Sequence, residues 1–261
     1  MNAFTALFCI FFLVVFIVSW KSHFFPGSSF GLGRIETAAS CAIMAICAGG
    51  VGFVSLGWSA NDVRNDSGEL IFYLVFSLIW IVLTQLVFEV LGVGLRDDAV
   101  ERKNRGALFA MAGLTIGATC CVAGANVGNG PGPEAVFFCM ALSTGTVLLL
   151  WTLLAGVTSL AEAITVERDL GAGLRASGFL ASCGAICGAA VAGDWVSLGS
   201  TLRDFIRLVW PVLGGFILVV AFELKFNRRP LAGRLSANRS AVIAGVLFMV
   251  AAAYALWVVK Q

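Results

Sequence analysis

The sequence predicts an all-α fold, a polytopic integral membrane protein of eight transmembrane helices in four two-helix hairpin repeats. Composition gives the class: 59% of residues are apolar, 12% are charged and the mean hydropathy is +0.95, whereas a soluble domain carries about a quarter charged residues. Apolar runs give the number of spans, because about 30 Å of hydrocarbon takes roughly 20 helical residues. Such runs lie near 3–20, 37–58, 70–95, 106–125, 135–162, 176–193, 206–224 and 240–259. Self-similarity gives the repeat. A shift of 134 lays Phe88, Glu89, Asn104, Arg105, Ala107 and Ala110 on Phe222, Glu223, Asn238, Arg239, Ala241 and Ala244. A shift of 71 lays Asp98, Ala110, Gly113, Gly117 and Ala118 on Asp169, Ala181, Gly184, Gly188 and Ala189. A looser backward shift of 68 lays Asn104, Gly113 and Gly117 on Glu36, Ala45 and Gly49. The chain reads as a single membrane domain over 1–261 with copies at 3–58, 70–125, 135–193 and 206–259, the first most diverged.

The run 3–20 has no Lys or Arg before it and no small-x-small cleavage site before Trp20 and Lys21, so it reads as a membrane helix rather than a cleaved signal. Within each hairpin the two spans differ. In 70–95 only Ser77, Thr84, Gly92 and Gly94 are small, whereas fourteen of the twenty residues in 106–125 and fourteen of the eighteen in 176–193 are Gly, Ala, Ser, Thr or Cys. Lipid is as apolar as leucine, so helices associate in it through close backbone approach across small residues. The pairs Gly113/Gly117, Gly184/Gly188 and Ala45/Gly49 therefore predict that the second, fourth and sixth spans form the centre, with the Leu- and Phe-rich odd spans toward lipid. The eighth span has Leu247 and Ala251 at the paired positions and is expected to pack peripherally.

Basic residues sort by loop. Thirteen, Arg96, Arg102, Lys103, Arg105, Arg168, Arg175, Lys225, Arg228 and Arg229 among them, fall on the face of the intra-hairpin turns, against four on the face of the termini. The positive-inside rule places those turns in the cytoplasm and both termini outside it. The opposite turns are short, and each ends in an acid entering the next helix, Glu69, Glu134 or Asp204. Negative charge is favourable at a helix N-terminus; the alternative is an outer ring that attracts cations.

The segments RDDAVERKNRGALFAMAGLTIG and AITVERDLGAGLRASGFLASCGAICGAAVAGDW, with an acid before a charged turn and Asn with small residues after it, resemble the DUF350 family, also called UPF0719. Glu89 with Asn104 and Glu223 with Asn238 meet that signature, while Arg175 stands at the Asn position of the middle copy. The resemblance implies a bacterial inner-membrane protein built from tandem two-helix units, and names no activity.

Candidate site residues gather at the basic end. Glu89 stands seven residues before Arg96, about 10 Å along a continuous helix. Ionisable groups at such depth are costly and mark pathways, relays or paired sites. Gln85 shares its helix face by i, i+4 spacing, so Gln85, Glu89 and Asn104 form the densest candidate ion site. Glu162 and Glu223 lie nearer the turn, where an interfacial ion pair, with Lys225 for the latter, is the competing reading. Asn104 and Asn238 open helices and suit N-caps; Asp98 and Asp169 suit solvated or capping roles. Arg102, Lys103, Arg105, Arg228 and Arg229 form basic turns fitted to anionic lipid headgroups or a cytoplasmic partner.

All eight Cys lie in apolar runs without a C-x-x-C and read as small packing residues. A single His rules out a bis-His haem or His-based zinc site, and no phosphate-binding loop appears. No cofactor, metal or nucleic acid is expected. Three classes follow: permeation of a proton or small cation with Glu89 as the binding carboxylate, a membrane scaffold or anchor working through the basic turns, and an intramembrane enzyme, disfavoured because no nucleophile and base are paired.

Overall fold

The computed structural model describes residues 34–226 and 236–259. The expected first span at 3–20, together with Cys9, His23, Arg228 and Arg229, lies outside them. Seven helices are long and apolar enough to cross a membrane: α1 Arg34–Trp58, α2 Ser67–Val90, α3 Arg105–Ala125, α4 Pro133–Val157, α5 Leu170–Val191, α6 Leu198–Phe226 and α7 Ala237–Val259. Short helices at Asn61–Asn65 and Leu160–Thr165 and a π-helical turn at Leu95–Glu101 join them. No strand forms among the described residues beyond an isolated bridge between Ser59 and Gly128. In hydrocarbon every backbone group must be satisfied within its own segment, which helices achieve.

Local chemistry fixes the helix ends. The Asp66 carboxylate accepts from Gly68 N and Glu69 N ahead of α2; Asn104 does so from Gly106 N and Ala107 N ahead of α3, and Asp169 from Gly171 N ahead of α5. Each closes orphan N–H groups of a first turn. Pro133 opens α4, where its missing N–H is not needed. Asn104 and Asp169 follow residues in the left-handed region, Lys103 (φ 52°) and Arg168 (φ 55°), and their own N–H groups donate six residues back, to Asp98 O and Ala163 O.

Several boundaries correct the sequence reading. The span expected over 70–95 ends at Val90, because Gly92 (φ 107°) turns the chain and Leu95–Glu101 folds back as the π-helical turn. Glu89 is thus in the last turn of α2, and a depth counted along a helix to Arg96 does not apply. The sixth span starts at Leu170 rather than 176, so Arg175 belongs to the helix and not to a cytoplasmic turn. The capping role in the middle hairpin falls to Asp169, six residues before Arg175. Asp204 lies well inside α6, which begins at Leu198, and is not part of its first turn.

Packing centres on α3 and α5, which run side by side in the same direction. Gly106 meets Gly173, Gly113 meets Ser177, Gly117 meets Gly184 and Gly124 meets Gly188. A Cβ on Gly124 would stand 2.0 Å from Gly188 O and one on Gly113 2.3 Å from Ser177 Cα, so the backbones themselves are in contact along the span. α1 flanks α3, and α7 flanks α5 with Gly178 against Ala244. The membrane window of α5 is 83% buried and that of α7 only 17%. The eighth span is thus peripheral in exposure, yet it lies along α5 as closely as the small residues allow. Of the bulkier helices, α2 packs on α1 and α3, α4 on α3 and α5, and α6 on α5, with the Phe88 and Trp151 rings 4.8 Å apart between α2 and α4.

One small-residue pair departs from expectation. Ala45 is exposed and nothing lies within 4 Å of a Cβ on Gly49. α1 instead turns Ser40, Met44, Cys47, Val51 and Ser55 inward, a face at helical spacing. Side chains of useful volume fill this contact, and the glycine face is left outward.

Candidate functional site

The basic-turn end of the bundle holds most of the predicted polar residues, in three separate settings. Asn104 is 1% exposed; besides capping α3 it donates from Nδ2 to Ile164 O at 2.7 Å, tying α3 to the short helix Leu160–Thr165. Asn104→Ala should cost about 1–2 kcal/mol, measurable as reduced resistance to unfolding in mixed micelles, whereas Asn104→Asp should keep the cap and lose only the link to Ile164.

The second setting surrounds Glu89. It is half-buried, and Gly94 lies against it: a Cβ there would stand 3.2 Å from Glu89 Oε1 and 3.5 Å from Asp98 Oδ2. Asp98 is buried rather than solvated. Its Oδ2 accepts from Gly94 N at 2.9 Å and its Oδ1 from Arg102 Nη1 at 2.9 Å. Two carboxylates therefore approach one backbone position, inside a π-helical turn of the kind often found at functional sites.

The third setting is an ion pair that the sequence reading did not assemble. Arg175 of α5 donates to Glu223 of α6 from Nε at 2.5 Å and Nη2 at 3.0 Å, and to Ser240 Oγ of α7 from Nη1 at 3.1 Å. Arg175 is 5% exposed and Glu223 1%; the guanidinium also stands 5.9 Å from the Phe222 ring centroid. The planar fork matches the carboxylate bidentately. The partner of Glu223 is thus a buried Arg from another hairpin, where Lys225 was the expectation. The Arg at 175, read as a turn residue, was the missed signal.

The polar spot of Gln85, Glu89 and Asn104 does not gather as one cluster. Gln85, 5% exposed, donates from Nε2 to Thr115 Oγ1 at 2.8 Å and contacts Met44 Sδ at 3.7 Å, while Asn104 turns to Ile164. Gln85 and Glu89 do share a face, and that face is longer than the sequence reading recognised. Tyr73, Ser77, Ile81, Gln85 and Glu89 follow one another at i, i+4 along α2, which stacks them in line. Ser77 Oγ accepts from Asn126 Nδ2 at 3.1 Å, and Trp80 Nε1 donates to Thr144 Oγ1 at 3.1 Å beside it. From Tyr73 to Glu89 the file rises about 24 Å, interrupted by Ile81, which is fully buried. A cavity of about 10 Å³ flanks Gln85, Met44 and Thr115.

Of the remaining candidates, Glu162 is exposed on the short helix Leu160–Thr165, and Asn238 is exposed within the first turn of α7 rather than ahead of it. Arg102, Lys103 and Arg105 are exposed around the turn before α3. The seven described cysteines are free thiols; Cys121 lies 3.6 Å from Gly184 O in the α3–α5 contact, as a packing residue. Compared with known proteins, the chain matches no family model, no curated protein and no solved structure.

Proposed function

We propose that the chain is a DUF350-type protein of the bacterial inner membrane, with eight crossings in four hairpins and both termini outside the cytoplasm, and that it passes a proton or small cation across the bilayer. The repeat reading is supported by α1, α3, α5 and α7 running parallel as successive neighbours, and by the shared turn in which a left-handed residue precedes the cap at Asn104 and again at Asp169, which sets the register of these two copies at 65 rather than the 71 of the sequence alignment. The permeation reading is carried by the buried file on α2. Hydroxyl and amide groups lead from Tyr73 past Ile81 to Gln85 and end at Glu89 beside Asp98. Polar groups are costly in hydrocarbon and there mark pathways and relays; four of them in line over about 24 Å of one helix face suit the passage of an ion or proton. Ile81 stands where a hydrophobic constriction closes such a path. The tight backbone contact of α3 with α5 leaves no route between those two helices, so the path follows α2. Glu89 is the binding carboxylate. In proteoliposomes the wild type should show proton or monovalent-cation flux that Glu89→Gln lowers at least about ten-fold, as loss of a charged ligand worth about 1.4 kcal/mol or more predicts. Flux of the wild type no greater than that of Glu89→Gln under every gradient would overturn the proposal.

The scaffold reading has its own observation, the exposed Arg102, Lys103 and Arg105 at one turn, where each cation near an anionic leaflet contributes about 1 kcal/mol. No enzymatic activity is proposed.

A further inference from the structure

At the end of the bundle opposite the basic turns, the connections after α1, α3 and α5 are joined by main-chain hydrogen bonds. Gly128 N donates to Trp58 O at 3.1 Å, Gly193 N to Val127 O at 3.2 Å and Trp195 N to Asn129 O at 2.8 Å. The Asp194 carboxylate accepts from both Asn129 N and Nδ2, at 2.8 and 2.9 Å. Beneath this rim is a cavity of about 60 Å³ lined by Ser59, Asp62, Tyr73, Asn126, Asn129 and Trp195 among others, with no basic side chain in its wall. At about 10–15 Å³ for each water-sized occupant, it holds a guest of a few heavy atoms.

Two residues of its wall turn a polar oxygen to the cavity that no protein donor takes up. Tyr73 is 7% exposed, and its hydroxyl makes no hydrogen bond among the described residues. Asn126 is 6% exposed and uses both amide hydrogens on Ser77 Oγ and Val122 O, which leaves its carbonyl oxygen to the cavity. Both atoms face the cavity with acceptor capacity unused, which suits an occupant that donates hydrogen bonds. The surrounding charge is negative: Asp62 lines the cavity, and Glu69 and Glu134 act on Tyr73 together with it. Among the described residues no three carboxylates, thiols or imidazoles converge as metal ligands. Dispersed acceptors, a negative field and the rings of Tyr73 and Trp195, which attract cations across their faces, suit a ligand with several N–H donors on one positive nitrogen.

We propose that this outer cavity is a binding site for a small primary ammonium ion, held by the Tyr73 hydroxyl, the Asn126 carbonyl and the Asp62 carboxylate. The site shares Tyr73 with the outer end of the α2 file, but binding there does not require passage, and a chain that transports nothing would still bind the ligand.

The test is calorimetric titration of ethylammonium chloride into the full chain in nanodiscs at constant sodium chloride. Saturable binding of one equivalent is expected, weakened roughly ten-fold or more in Tyr73→Phe, which removes one hydrogen bond to a charged group, and in Asp62→Asn. Val242→Ala, on the exposed lipid-facing side of α7, should bind as the wild type does. Tyr73→Phe keeps the buried ring, and Asp62 is on an exposed helix, so one variant keeps the test open should the other fail to fold. The proposal is overturned if ethylammonium gives no saturable heat, if both variants bind as the wild type does, if tetramethylammonium, which has no N–H donor, binds equally well, or if sodium displaces ethylammonium at equal concentration.

Discussion

Glu223→Ala will be the most destabilising single carboxylate substitution in the chain, at about 3–5 kcal/mol, because it strands the Arg175 guanidinium inside the bundle without its counter-ion. Arg175 is 5% exposed and binds Glu223 bidentately while reaching Ser240, so no rotamer change takes it to water without opening the junction of α5, α6 and α7. Removing both charges behaves differently. A buried ion pair is often matched by apolar side chains of similar volume, and Arg175→Met with Glu223→Met should recover most of the loss. Unfolding of the purified chain in mixed micelles, read as a double-mutant cycle, measures both effects. Additive losses would show that the pair contributes nothing as a pair.

The second large effect comes from the glycine contact. Gly124→Ala places a methyl group 2.0 Å from Gly188 O, and Gly117→Ala places one 2.5 Å from Leu180 O. Neither obstacle is a movable side chain, so α3 and α5 must separate along the contact. The cost is at or above the roughly 1–3 kcal/mol of an overpacked core. Gly49→Ala is the matched control: it adds the same methyl group where nothing lies within 4 Å, and it should stay within about 0.5 kcal/mol of the wild type. Equal losses at Gly49 and Gly124 would mean that backbone approach between α3 and α5 does not govern these positions, since Ala is the better helix former at both.

Helix class, the inward placement of the fourth and sixth spans and the Asn104 cap were legible in the sequence because each rests on local composition or on a motif of a few residues, whereas the second span, 28% buried against 39% for α4, is not central. What escaped was set by the third dimension. Periodicity marked Ala45 and Gly49 as equivalent to Gly113 and Gly117, but a rotation of α1 about its own axis puts Met44 and Val51 against α3 instead. An apolar window ends at its first charge, so Arg175 fell outside the sixth span, and its pairing with Glu223 across two hairpins could not be seen. The turn after Val90 depends on Gly92 adopting φ 107°, and an apolar count runs straight through it. The i, i+4 relation of Gln85 and Glu89 was readable. Its extension to Ser77 and Tyr73 was not, because Ser and Tyr in an apolar span look like ordinary filling until Asn126 and the outer cavity appear beside them.

The central claim is that the buried face of α2 is a wetted path ending at Glu89. Radiolytic hydroxyl-radical footprinting of the chain in liposomes tests it most directly, since radicals form from water at the site of labelling. Met44, 4% exposed and in contact with Gln85, should oxidise severalfold faster than Met140, which is fully buried on α4. Equal protection of Met44 and Met140 would mean that the file is dry, and would contradict the account.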